Sequence, residues 1–178
     1  MNYRLSNEGA FPLVLVNLNA NEEIRIESGS MVYHNGKVTL EGKMNSNGSG
    51  GIGGLLKAAA RSVVSGEGFF ITTANGTADN ALVAIAPGSI GQIKELKVGE
   101  SKWCINDGAF LACDSSVTYN MKKQSVGRAI FGGTGGFFVM ETAGEGTMLV
   151  NGSGDIIAVD LDGSSPSVVD NFHVVARE

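Results

Sequence analysis

Proline, histidine and cysteine are all scarce in this sequence, and no stretch carries an excess of positive charge. Each shortage removes a class of function. Two histidines and two cysteines are too few for most metal centres, which want three or four convergent ligands, and neither CxxC nor a Cys/His ligand spacing is present. Cys104 and Cys113 flank one turn-like stretch and read as two reduced thiols. Lysine and arginine are scattered, with Lys122-Lys123 the one adjacent pair, and the net charge is −5 with a pI near 5.0. A nucleic-acid binder shows a basic stripe instead, so nucleic acid is not expected as a partner.

Long apolar runs are missing as well. The N-terminal segment has six consecutive apolar or proline residues at 11–16, too short for a signal peptide or a membrane span. Cytoplasm is the expected compartment. Nucleophilic catalysis has no visible seat, because there is no GxSxG elbow and no Cys-His-Asn signature. The run Gly48 to Gly54 invites a phosphate-loop reading, but no Lys-Ser or Lys-Thr follows it and no βαβ unit surrounds it. The carboxylates Glu22, Glu23, Glu27, Asp107, Asp114, Asp155, Asp160, Asp162 and Asp170 lie mostly in turn-like sequence and read as solvated. Catalytic residues, cofactor-binding residues and metal ligands are therefore all expected to be none, and the protein is expected not to be an enzyme.

What is abundant is glycine, at 26 of 178 residues against 3 prolines. Without collagen periodicity, that richness means many tight turns between short strands. Hydrophobic residues at 43% and charged residues at 17% indicate a globular chain with a proper core.

The sequence also repeats itself. Residues 24–43 superpose without a gap on residues 103–122, so that Ile26 meets Ile105, Gly29 meets Gly108, Met31 meets Phe110 and Val38 meets Val117. Residues 169–178 fall in turn on 105–114, with Asn171 close to the glycine position and Val175 on Leu111. Gly68-Phe69-Phe70 matches Gly136-Phe137-Phe138. The unit is a strand, a glycine turn and a second strand, with one apolar face at Ile24 and Ile26 and at Val38 and Leu40. Further strands are expected at 11–18, 69–74, 81–86, 137–142, 147–151 and 156–161. One short crossover helix is expected at 55–64, stopped by Gly66. The fold class is all-β, a single compact unit of pseudo-repeats at about 1–65, 66–130 and 131–178.

The residues singled out for packing or interfaces are Phe69, Phe70, Phe137, Phe138, Leu55 and Leu56. Neighbouring strand residues point to opposite faces, so one ring of each Phe pair enters the core and the other is available to a crossover or a subunit interface. Lys57 and Arg61 share one face of the expected helix, which leaves membrane-surface docking of 52–64 open.

The stretches GGLLKAAARSVVSGEGFF (53–70), VAIAPGSIGQIKEL (83–96), INDGAFLACDSSV (105–117), FGGTGGFFVMETAGEGTMLVNGSGDIIAVDL (131–161) and VVDNFHVVARE (168–178) resemble, in order, the altered-inheritance-of-mitochondria family. That resemblance implies a fold like the tryptophan RNA-binding attenuation protein, a duplicated β-sandwich or short double-stranded β-helix. It implies a trimeric homo-oligomer and no established catalytic residue. Family members continue past the segment like HVVARE, whereas this sequence stops at Glu178; either it is a piece, or a neighbouring chain completes the third unit. The function expected is a non-enzymatic scaffold or binding protein acting as a homo-oligomer. The alternatives are a membrane-associated organiser and a small-molecule-binding or enzymatic cupin-like barrel, the last opposed by the misaligned His34 and His173.

Overall fold

The computed structural model describes residues 1–6, 9, 11–44, 70–106, 108–124 and 137–178. The expected helix at 55–64, with Leu55 and Leu56, and also Phe69 lie outside the described residues. Among those described, the chain is almost entirely antiparallel β-structure. The strands are β1 (Asn2–Leu5), β2 (Val14–Leu18), β3 (Glu23–Glu27), β4 (Met31–His34), β5 (Val38–Met44), β6 (Phe70–Gly76) and β7 (Ala81–Ile85). There follow β8 (Gly91–Val98), β9 (Cys104–Asn106), β10 (Phe110–Asp114), β11 (Val117–Gln124), β12 (Phe137–Gly144), β13 (Gly146–Ser153) and β14 (Ala176–Arg177). They make three sheets: A in the order β1-β2-β7-β4, B in the order β5-β6-β3-β10-β13-β8, and C in the order β11-β12-β9-β14.

Alternation in the sequence decides which face of each strand is buried. In β3, Ile24 and Ile26 are buried while Glu23, Arg25 and Glu27 are not. Sheet B is the shared middle layer. On one side Ile24, Ile26, Ala74, Leu111 and Leu149 pack against Val14, Val16, Val83 and Ile85 of sheet A. On the other, Ile71, Phe110, Met148 and Val150 pack with Ile105, Val117 and Met140 of sheet C. Full burial of each such Val, Ile, Leu, Met or Phe side chain contributes about 1.5–3 kcal/mol.

The strand registers repeat. Ile26 lies opposite Thr72 as Ile105 lies opposite Met140, Val38 opposite Gly76 as Val117 opposite Gly144, and Val16 opposite Val83 as Leu96 opposite Met148. Even an irregularity recurs: a bulge between Met31 and Tyr33 against β7 returns between Phe110 and Ala112 against β13. The pattern β2 to β7 is thus built a second time as β8 to β13.

The copies interlock. Ile26 of β3 pairs with Ala112 of β10, and Ile105 of β9 pairs with Ala176 of β14 in the corresponding register. All three turns carry the same closing hydrogen bond: Ser30 N–H to Glu27 O at 3.1 Å, Ala109 N–H to Asn106 O at 3.1 Å, and His173 N–H to Asp170 O at 3.0 Å. Gly29 and Gly108 adopt positive φ, +86° and +79°, which only glycine takes without strain. The third turn is a short 3-10 stretch, Asn171–His173, and manages without glycine.

Two strands escaped the sequence reading, and one expected strand does not form. The N-terminal β1 pairs with β2, and β8 pairs along its whole length with β13. β8 is hard to see because Lys94, Glu95 and Lys97 interrupt its apolar positions. Residues 156–161 alternate as a strand should, yet they pair with no strand among the described residues. Alternation reports a face; a strand also needs a partner for its N–H and C=O groups.

Candidate functional site

Among the described residues, a connected group of titratable side chains lies where β1 meets sheet B. Tyr3 Oη donates to Glu95 Oε2 at 2.7 Å, and Lys97 Nζ lies 2.5 Å from Glu95 Oε1. Lys97 Nζ also reaches Thr147 Oγ1 at 3.4 Å. The Thr147 N–H donates to Asp114 Oδ2 at 2.7 Å, and the Met1 ammonium lies 2.5 Å from Asp114 Oδ1. Beyond Asp114, Arg25 donates to the Val117 carbonyl oxygen and stands opposite Cys113 across the β3–β10 ladder.

The electrostatics follow from this layout. Burial, reinforced by the hydrogen bond to the Glu95 carboxylate, pushes the Tyr3 phenol up to about 12. The hydrogen bonds from Lys97 and then from Tyr3 hold Glu95 below its usual range. Glu95 in turn raises Lys97. Burial pushes the Cys113 thiol up to about 12, with Arg25 opposing only in part. Such a thiol keeps its proton at neutral pH and is no nucleophile. Burial also raises Tyr119.

Chemically this is a clamp. Its donors and acceptors face one another, and they tie the edge of sheet A to β8, β10 and β13 of sheet B. Asp114, read from sequence as a solvated turn carboxylate, is the hub, with each carboxylate oxygen engaged. Nothing local in the sequence announces the clamp, because Tyr3 and Glu95 come from strands far apart in the chain. The one available signal is the recurrence that places Asp114 at the end of a buried strand.

The other residues singled out from sequence are dispersed. Phe70 stands in β6 opposite Met44, and Phe137 and Phe138 stand in β12 opposite Gln124 and Lys123; their side chains lie outside the described residues. Phe70 and Phe138 occupy corresponding positions of the repeat. His34 is exposed on β4, where its Nδ1 accepts from the Gly36 N–H at 3.1 Å. His173 is exposed in the 3-10 turn, 3.6 Å from Asp170. Cys104 is in sheet C and Cys113 in sheet B, and neither forms a disulfide. Among the described residues no three His, Cys, Asp or Glu side chains gather closely enough to hold a metal ion, and no helix is long and apolar enough to cross a membrane.

A family model described as "Mitochondrial biogenesis AIM24" matches residues 3–178. The chain belongs to the AIM24 family. It is 47% identical over 176 residues to an uncharacterised protein of Streptococcus pyogenes, covering 99% of this chain and 70% of that protein. The AIM24 fold is also seen in an X-ray crystal structure of a Streptococcus pyogenes protein, 41% identical, with a TM-score of 0.76 over 98% of this chain and 74% of the other. At this identity the two chains share one fold over nearly the whole of this chain.

Proposed function

We propose that this AIM24 protein is a non-enzymatic scaffold or binding protein that acts as a homo-oligomer, with a trimer favoured, in the cytoplasm. One observation carries the reading. Apolar side chains stand exposed on backbone that is ready to pair: Val32 and Tyr33 on the edge strand β4, and Ile157, Val159, Leu161 and Val168 in the segment before β14. An open edge bearing apolar residues is a template for association.

The clamp supports the same view, since its carboxylates hold strands together and its thiol is proton-bearing. Two free cysteines suit a reducing compartment.

Light scattering or native mass spectrometry over a range of concentrations tests the proposal. A mass of several chains, three by preference, is expected. A monomer at every concentration overturns it.

A further inference from the structure

Asparagine precedes glycine at Asn35, Asn47, Asn75 and Asn151. Such a pair can react with itself: the glycine nitrogen attacks the asparagine side-chain amide, closes a cyclic imide and expels ammonia. Asn47 lies outside the described residues. The other three have very different surroundings.

Asn75 and Asn151 are held in ladders. Asn75 stands in β6 between Glu23 and Thr39, and the Gly76 N–H donates to the Glu22 carbonyl oxygen at 2.9 Å. A Cβ on Gly76 would run into the Asn19 carbonyl oxygen, so a ring has no room there. Asn151 is buried in β13 opposite Ile93, and Ile156 and Val175 crowd Gly152. Among the described residues, no donor meets the Oδ1 of either asparagine.

Asn35 differs on each point. It is exposed between β4 and β5. Gly36 has a φ of +82°, and a Cβ there would meet nothing within 4 Å. The Gly36 N–H donates to His34 Nδ1 at 3.1 Å, within the reach of a general base. Asn35 Oδ1 accepts two backbone N–H groups, from Leu82 at 3.1 Å and from Lys37 at 3.2 Å. Paired N–H donors of this kind stabilise an oxyanion. Asn35 Nδ2 donates to the Asn80 carbonyl oxygen at 2.8 Å, a bond given up in the reaction.

We propose that Asn35-Gly36 is a self-modification site, at which asparagine becomes aspartate through a cyclic imide with His34 as the base. His34 Nδ1 takes the Gly36 N–H proton, and the nitrogen's electron pair forms a bond to Asn35 Cγ. The carbonyl π pair moves onto Oδ1, between the Leu82 and Lys37 N–H groups. When that pair returns, the Cγ–Nδ2 bond breaks. Nδ2 leaves as ammonia, carrying the proton that His34 took and passed on through solvent. Water then opens the imide, at Cγ to give aspartate or at the backbone carbonyl to give isoaspartate. The net change is one ammonia out and one water in.

The repeat shows that the aspartate suits the fold. Asn35 falls on Asp114, and Leu82 falls on Thr147. The bond from Leu82 N–H to Asn35 Oδ1 is the counterpart of the bond from Thr147 N–H to Asp114 Oδ2. The second copy already carries the carboxylate that the reaction installs in the first.

The test holds the full chain at physiological pH and temperature, folded and in urea, and follows each asparagine by peptide mapping with mass spectrometry. In the folded chain Asn35 is expected to gain the mass of deamidation while Asn75 and Asn151 keep their amides; in urea all three convert. Glutamine takes up no proton, so His34→Gln should slow folded Asn35 several-fold and leave its rate in urea unmoved. Asn35→Asp, the product, should keep the Leu82 amide as protected from hydrogen exchange as in the unsubstituted protein. An Asn35 that stays amidated in the folded chain, or an Asn75 or Asn151 that keeps pace with it, overturns the site. An unchanged or faster rate in His34→Gln removes the base. A Leu82 amide laid open in Asn35→Asp shows that the turn rejects the carboxylate.

Discussion

Asp114 accepts the Thr147 N–H on one carboxylate oxygen at 2.7 Å and holds the Met1 ammonium on the other at 2.5 Å. One side chain thereby joins the chain's first residue to β10 and β13. Asp114→Ala leaves a partly buried N–H and an ammonium without their acceptor, a loss of about 1–3 kcal/mol. Asp114→Asn keeps an oxygen for Thr147 and loses less. Urea denaturation is expected to rank the unsubstituted protein first, Asp114→Asn second and Asp114→Ala last in stability.

Stability should fall on the alkaline side, for a reason that can be signed. Cys113 and Tyr3 both have folded values pushed up to about 12, from ordinary values of 9.0 and 10.0. Below pH 9 both groups are protonated whether the chain is folded or not, and their contribution is fully present. Above it the unfolded chain releases protons that the folded chain retains, so stability drops as pH rises towards 12. Urea midpoints from pH 8 to pH 11 should show the decline. In Cys113→Ala its onset should move up by about one pH unit, towards the tyrosine's ordinary value, whatever the variant's stability at neutral pH.

Corresponding positions of the repeat should respond unequally to the same kind of change. Leu111→Ala empties a fully buried site between sheets A and B and should cost about 2–5 kcal/mol. Val32→Ala, at the matching place on exposed β4, should stay within about 0.5 kcal/mol in the dissociated chain. Equal losses would mean that β4 is covered even there.

Hydrogen exchange should separate face from strand. Amides of Ile157 to Leu161 have an apolar alternation but no ladder, so they should exchange among the fastest of the described residues. Leu149 and Leu111, inside sheet B, should be among the slowest.

That contrast also marks how far the sequence could be read. The repeat was legible because the same side chains do the same packing: Ile26 and Ile105 fill the core, and Gly29 and Gly108 make the turn. The all-β class followed from glycine-rich punctuation. What could not be read was pairing. β8 carries too many charges to look like a strand, and it is one because β13 lies beside it. Residues 156–161 look like a strand, yet no strand among the described residues pairs with them. The clamp was hidden for the same reason, since Tyr3, Glu95 and Asp114 acquire meaning only when three distant strands meet.

Sheet B draws three strands from each copy of the motif, so neither copy completes this middle layer alone. During synthesis the edge of β3 stays bare until β10 emerges, and the core on both sides of it waits for that event. Deleting either copy removes half of the central layer and strips the inner face of whatever remains. The fold multiplies a join between neighbours, and one motif taken alone is half a wall.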